Sequence, residues 1–144
     1  MSGMIALDTN ILVHAHISDL PKHEDAKERL KSLAEGNAPW AIPVFCIGEF
    51  LRVITHPRLF KNPFTTGEAT EAIERLLSSP TIRLILPGER YVPLFLEAIN
   101  EAEATGNLIF DAQIVALCRE SGVETLVSED RDFAFFPGFK TEKL

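Results

Sequence analysis

The strongest constraint on how this chain folds is an alternation. Short apolar runs at Met4 to Leu7, around Trp40 to Ile42, at Ile82 to Leu86 and at Thr125 to Val127 are separated by longer stretches whose apolar residues recur every three or four positions. Runs of that length suit strands, and the longer stretches suit amphipathic helices. Strand and helix in alternation imply an α/β domain built around a mainly parallel sheet.

The same pattern places the helices. Asp8-Thr9-Asn10 reads as a turn, after which Ile11, Leu12 and Ala15 open the first helix. His23 to Glu35 carries Ala26, Leu30, Leu33 and Ala34 on one face and charges on the other, with Gly36 where a C-terminal cap would stand. Val44 to Ile54 is apolar around nearly its whole circumference, with Ile47, Phe50, Leu51 and Ile54 in one stripe, so it is expected to be mostly buried. Thr55 to Phe64 holds two prolines and no periodicity and is expected to be a loop. Thr65 and Glu68 form a capping box that opens a helix with Ala69, Ile73, Leu76 and Leu77 on its apolar face. Helices from Glu89 to Ala104 and from Phe110 to Glu120, stopped near Gly106 and Gly122, complete the set.

With 144 residues, 46% of them hydrophobic, and no repeat or linker, the expectation is a single domain over residues 1–144. The start of the chain lacks the basic segment of a signal peptide and no apolar run is long enough to span a bilayer, so a soluble cytoplasmic protein is expected. Cys46 and Cys118 lie in apolar stretches with no CxxC or Cys/His grouping and read as reduced, buried thiols, which argues against zinc. The formal charge of −7 excludes binding to nucleic acid through a uniformly basic surface. A nucleic-acid substrate would need positive charge from a divalent metal, a local basic patch or a partner protein.

The acidic residues therefore carry the functional question. Asp8 follows a strand and precedes a helix, at the edge where parallel α/β sheets gather functional groups, although Asp is also a favoured N-cap. Glu49 shares a helix face with Phe45 and Val53 in a segment otherwise apolar apart from Arg52, where a buried carboxylate is costly unless it binds metal or pairs with Arg52, the alternative being simple exposure at a helix edge. Asp111 begins a helix, where either a cap or the helix dipole would also explain it. Ser128-Glu129-Asp130-Arg131-Asp132-Phe133 leaves the end of a strand and could be a solvated turn, the role expected for Glu129. Taken together, Asp8, Glu49, Asp111, Asp130 and Asp132 make an oxygen-rich ligand set suited to Mg²⁺ or Mn²⁺.

In order, these segments resemble the PIN-domain family: Asp8-Thr9-Asn10 after an apolar run, Glu49 in an apolar helix, Asp111-Ala112 opening another, and Ser128-x-Asp130-x-Asp132-Phe133 near the end. The resemblance extends to connecting features such as Glu49 to Arg58 and Ala104 to Leu108, and the chain looks most like the VapC-type toxins of bacterial toxin–antitoxin pairs, the subgroup abundant in mycobacteria. The resemblance implies a short parallel sheet of order 3-2-1-4-5 between helices, Mg²⁺ or Mn²⁺ as cofactor, RNA as substrate, a homodimer, and a small VapB-like antitoxin that blocks the site. By position it makes Asp8, Glu49, Asp111 and Asp130 the metal ligands, with Asp132 sharing or taking the fourth role, and Asn10 and Ser128 as residues that orient the carboxylates.

The implied reaction is metal-assisted hydrolysis of a phosphodiester, leaving 5′-phosphate and 3′-hydroxyl ends. Arg52, His56, Arg58 and Lys61 are expected to hold RNA, with Phe60 or Phe64 available for stacking, unless this is simply a solvated loop plus an ion pair to Glu49. His14 and His16 are two apart on a helix, cannot share a face, and are expected to be structural. A receiver-type signalling module is disfavoured because Asp8 has no adjacent acid and no lysine follows Thr125 to Val127. A haloacid-type phosphatase would want Asp where Asn10 stands, and a PIN fold kept for protein binding alone fits poorly with a full set of acids.

Overall fold

Five strands lie in one sheet of order β3-β2-β1-β4-β5, and every neighbouring pair is parallel. The computed structural model describes residues 3–144. The strands are β1 (Met4–Leu7), β2 (Trp40–Pro43), β3 (Ile82–Ile85), β4 (Val123–Val127) and β5 (Thr141–Glu142). Between them run α1 (Thr9–His16), α2 (His23–Glu35), α3 (Val44–Ile54), α4 (Thr66–Leu77), α5 (Tyr91–Ala102) and α6 (Leu108–Glu120), with a 3₁₀ turn at Arg131–Phe135. A parallel pair needs a crossover between its strands, and helices supply it here.

The two central strands and the helices over them form one core. Trp40, Phe50, Phe133 and Phe136 are its largest fully buried side chains, packed with Leu7, Ile11, Leu12 and Leu126. The Trp40 indole reaches the core edge and donates to Thr81 Oγ1 at 3.0 Å, so its one polar atom is satisfied. Thr65 and Glu68 cap α4 reciprocally, with bonds of 3.1 and 2.9 Å.

Several expectations need correction. Asp8-Thr9-Asn10 is no turn: α1 begins at Thr9, and Asp8 is its N-cap. Nor is α3 mostly buried. It sinks Cys46, Phe50 and Ile54 into the core but exposes Phe45, Gly48, Glu49 and Arg52, because its outer face looks onto an open cleft with no covering layer. On α4 the buried face is Ala69, Ala72 and Leu76, while Leu77 in the last turn is 38% exposed. Gly36 ends α2 with φ at −78°, an ordinary conformation. Among the described residues the left-handed turns fall instead at Glu103, Gly106, Gly122 and Gly138, of which Gly122 swings the chain from α6 into β4.

The strand β5 has no counterpart among the apolar runs of the sequence. It is two residues long, exposed, and held through backbone bonds from Leu126 N to Lys140 O (3.1 Å) and Ser128 N to Glu142 O (2.9 Å). Among the described residues, no helix is long and apolar enough to cross a membrane.

Candidate active site

The connection from β1 leads to β2 on one side, while β4 pairs with β1 on the other. Where neighbouring strands send their chains in opposite directions, a crevice opens at their carboxyl ends. Leu7 and Val127 are register partners at that point, and Asp8 N donates to Val127 O at 3.0 Å. The residues that follow the two strands, Asp8 and Ser128, are therefore neighbours although 120 positions apart.

The crevice widens into a cleft of about 820 Å³. One wall is α1, through Asn10, Val13 and His14; a second is α3, through Phe45, Gly48, Glu49, Arg52 and Val53; a third is α6, through Phe110, Asp111 and Ile114. Each set recurs at three- and four-residue spacing, so each is a single helix face. Asp130 and Asp132, from the turn after β4, line the same space, as does Asp8.

Asp8 is the fixed end of this arrangement. Only 8% exposed, it accepts from Thr9 N (2.8 Å) and Cys46 Sγ (3.6 Å) on Oδ1, and from Ser128 Oγ (2.8 Å) and Asn10 Nδ2 (3.4 Å) on Oδ2. Burial pushes its carboxyl above the usual range, the bonds from Ser128, Thr9 and Cys46 oppose that, and the charge of Glu49 adds to it. Ser128 Oγ also accepts from Asp130 N (3.0 Å) and Asn10 Nδ2 (3.3 Å), and Asn10 Oδ1 accepts from Glu129 N (3.2 Å). Asn10 and Ser128 thus tie the end of β1 to the turn after β4. Cys46 and Cys118 are both free and buried, and burial pushes both thiols up, which leaves them un-ionised and inert.

Asp111, Asp130 and Asp132 approach most closely, each offering a carboxylate oxygen within 4.8 Å of the others. Asp111 is no cap: α6 starts at Leu108, with Asn107 at the N-cap position. Its carboxyl is pushed up to about 7, first by burial and then by the charges of Asp130, Asp8, Asp132 and Glu49. The other four acids all act on this one group, so the five form a single electrostatic unit. Asp130 does cap, accepting from Asp132 N at 2.8 Å on Oδ1.

Glu49 reaches the cleft from an exposed helix edge, the alternative to burial that its position left open. Its side chain is 55% exposed, so no burial forces a partner on it, and Arg52 stands at 4.0 Å, the outer limit of an ion pair. Glu129, expected in a solvated turn, is instead half-buried: it pairs with Lys22 and accepts from Leu144 N at 3.0 Å, and the Lys22 bond pulls its carboxyl down. Of the residues expected to hold RNA, Arg52 lines the cleft, whereas His56, Arg58 and Lys61 lie outside it. Phe60 and Phe64 are half-buried against the core.

Sequence reasoning missed Phe45, His14, Asn107, Phe110 and Gln113 as lining residues. His14 was assigned to structure from its spacing to His16, yet only His16 fits that role, with its ring 5.0 Å edge-on from Phe50 and Nδ1 2.7 Å from Leu12 O. His14 faces the cleft, and burial lowers its pKa. Phe45 and Asn107 each stand four residues before an acid, a spacing that could have found them, whereas Phe110 and Gln113 lie one and two residues from Asp111 and carry no such signal.

Comparison with known proteins gives one consistent neighbourhood. The family model for the PIN domain matches residues 5–137. Ribonuclease VapC43 of Mycobacterium tuberculosis is 36% identical over 92% of this chain and 90% of its own length. Ribonuclease VapC48 of the same organism is 34% identical over 92% of each. Among solved structures, VapBC2 from Rickettsia felis bound to a promoter DNA fragment superposes with a TM-score of 0.71 at 21% identity, covering 97% of this chain and 98% of that one. The sarcin–ricin loop cleaving toxin VapC20 of Mycobacterium tuberculosis superposes at 0.67 and 18% identity, covering 94% and 95%.

Proposed function

The chain belongs to the PIN-domain family, and from that premise we propose that it is a single-domain, divalent-metal-dependent endoribonuclease, the toxin of a VapBC-type pair. The observation that carries this reading is the convergence of five carboxylates on one cleft at the switch point of the sheet. Relatives that match 92% of its length are named VapC ribonucleases, and several of its structural neighbours are toxin–antitoxin complexes.

The donor set fits a hard divalent cation. The three acids that approach most closely offer carboxylate oxygen only, with no thiolate or imidazole among them, which favours Mg²⁺ or Mn²⁺ over zinc. Asp111, Asp130 and Asp132 would hold it, with Asp8 and Glu49 completing the shell. When bound, such an ion supplies a water of lowered pKa and offsets charge on the leaving 3′ oxygen. The chain's own residues supply the geometry. Asp8 is immobilised by its donors, while Ser128 and Asn10 hold the turn bearing Asp130 and Asp132 against it. Arg52 faces the cleft as a contact for substrate phosphate, and His56, Arg58 and Lys61 would extend that contact outside it. A homodimer in the cytoplasm, inhibited by a VapB-like antitoxin, completes the proposal.

Incubating pure protein with mixed-sequence RNA tests it. Cleavage should require Mg²⁺ or Mn²⁺, stop on addition of EDTA, and leave 5′-phosphate and 3′-hydroxyl ends. Cleavage that persists in EDTA and leaves cyclic phosphates would overturn the metal mechanism.

A further inference from the structure

We propose that Phe45 and Phe110 are stacking platforms that hold unpaired RNA bases on either side of the acidic cluster, an inference that rests on the ribonuclease reading above. Both rings line the cleft, and they are 36% and 63% exposed. Phe110 immediately precedes Asp111 on α6, and Phe45 lies one turn before Glu49 on α3. A nucleotide whose phosphate sits at the acids therefore has an aromatic ring within reach on each flank.

Phe45 is also held firmly. Its ring tilts against Tyr91 at 5.9 Å between centroids, and Tyr91 in turn stacks on Phe95 at 5.6 Å and 9° between planes. Phe45 is thus the exposed end of an aromatic column rooted in α5, and a rigid ring binds a base at little entropic cost. Gly48, on the same cleft face of α3, has nothing within 4 Å of where a Cβ would sit. No packing demand explains a glycine there, where it weakens the helix, but its absent side chain leaves open space beside Phe45.

Charge favours the same occupant. Against its five acids the cleft sets, among the described residues, Arg52 as its one permanent cation and His14, whose charging burial disfavours, and the whole chain carries −7. Phosphate contacts alone are a poor source of affinity here, whereas base stacking is independent of charge and tolerant of sequence. Stacking needs bases whose faces are free, so the substrate is single-stranded or looped RNA.

The test uses a short single-stranded RNA whose cleavage site has been mapped with the wild-type protein, the same RNA annealed to its complement, and versions with an abasic nucleotide on either side of the cut. Phe45→Leu and Phe110→Leu keep apolar bulk and remove the ring. Each should raise KM on the single strand about tenfold, with a smaller change in kcat. An abasic flank should raise KM for the wild type by a similar factor and add little further for the variant facing it. The duplex should be cut far more slowly. Wild type cutting duplex as fast as single strand, or Leu variants with unchanged KM, would overturn the stacking proposal while leaving the ribonuclease reading intact. A fall in oligomeric mass by light scattering with KM unchanged would assign the rings to a protein interface and overturn it too. A wild type that cuts no RNA would defeat the reading beneath it.

Discussion

Asp8 and Glu49 stand at opposite extremes of one cleft. Asp8 is 8% exposed and held in place by four donors from α1, α3 and the turn after β4. Glu49 is half-exposed on the outer face of α3, with only a distant Arg52 beside it. The fold itself holds the first carboxylate, so its position is settled before any ligand arrives. The second is placed by its helix alone, and its use depends on what enters the cleft. Residues around Asp8 should therefore serve stability and activity together, and Glu49 activity alone.

Two substitutions break or sharpen that contrast. Glu49→Gln should reduce cleavage by more than the roughly 10- to 100-fold typical of a residue that only supports a metal site, with a melting temperature equal to wild type. Ser128→Ala should fall within that 10- to 100-fold range and also cost about 1–3 kcal/mol in urea unfolding, because Asp8 Oδ2 loses a donor and Asp130 N an acceptor in a buried place. A destabilised Glu49→Gln, or a Ser128→Ala protein as stable as wild type, would erase the distinction.

A smaller effect lies in the pH dependence of the metal-free protein. The Asp111 carboxyl is raised from 3.8 to about 7, chiefly by burial and then by Asp130, Asp8, Asp132 and Glu49. Between those values the folded state holds a proton that the unfolded state releases. The associated stability is thus fully present below about pH 4 and is lost as pH rises through about 7. The buried Asp8 carboxyl, also raised, contributes with the same sign. Unfolding midpoints in EDTA should fall across this window, and Asp111→Asn should flatten the decline. A rise in stability over the same interval would contradict the crowding of these acids.

Much of this was legible in the chain itself, for physical reasons that differ by element. Helix α2 was readable to the residue because a two-faced helix writes its period into the sequence. The functional edge was readable because Asp8 and Ser128-x-Asp130 directly follow β1 and β4. The short exposed strand β5 was not, since it pairs through backbone and carries no apolar alternation. Glu49 was singled out on a faulty premise: an apolar helix suggested burial, whereas α3 turns Phe45, Glu49 and Arg52 to an open cleft. The same misreading hid Phe45 and Phe110, because an aromatic residue at helical spacing looks like core whether it faces a sheet or a cleft.

The central claim, that these acids form a metal-dependent catalytic centre rather than a set of helix caps, is tested most directly by Asp111→Asn. Thermal melts of wild type and variant with and without Mg²⁺, alongside RNA cleavage by both, are the measurement. The account predicts a variant that is inactive, at least as stable as wild type without metal because one repelling charge is gone, and deprived of most of the gain that Mg²⁺ gives the wild type, a gain of about 1.4 kcal/mol at ten times Kd. An Asp111→Asn protein that still cleaves RNA, with Mg²⁺ shifting both melting temperatures alike, would contradict it.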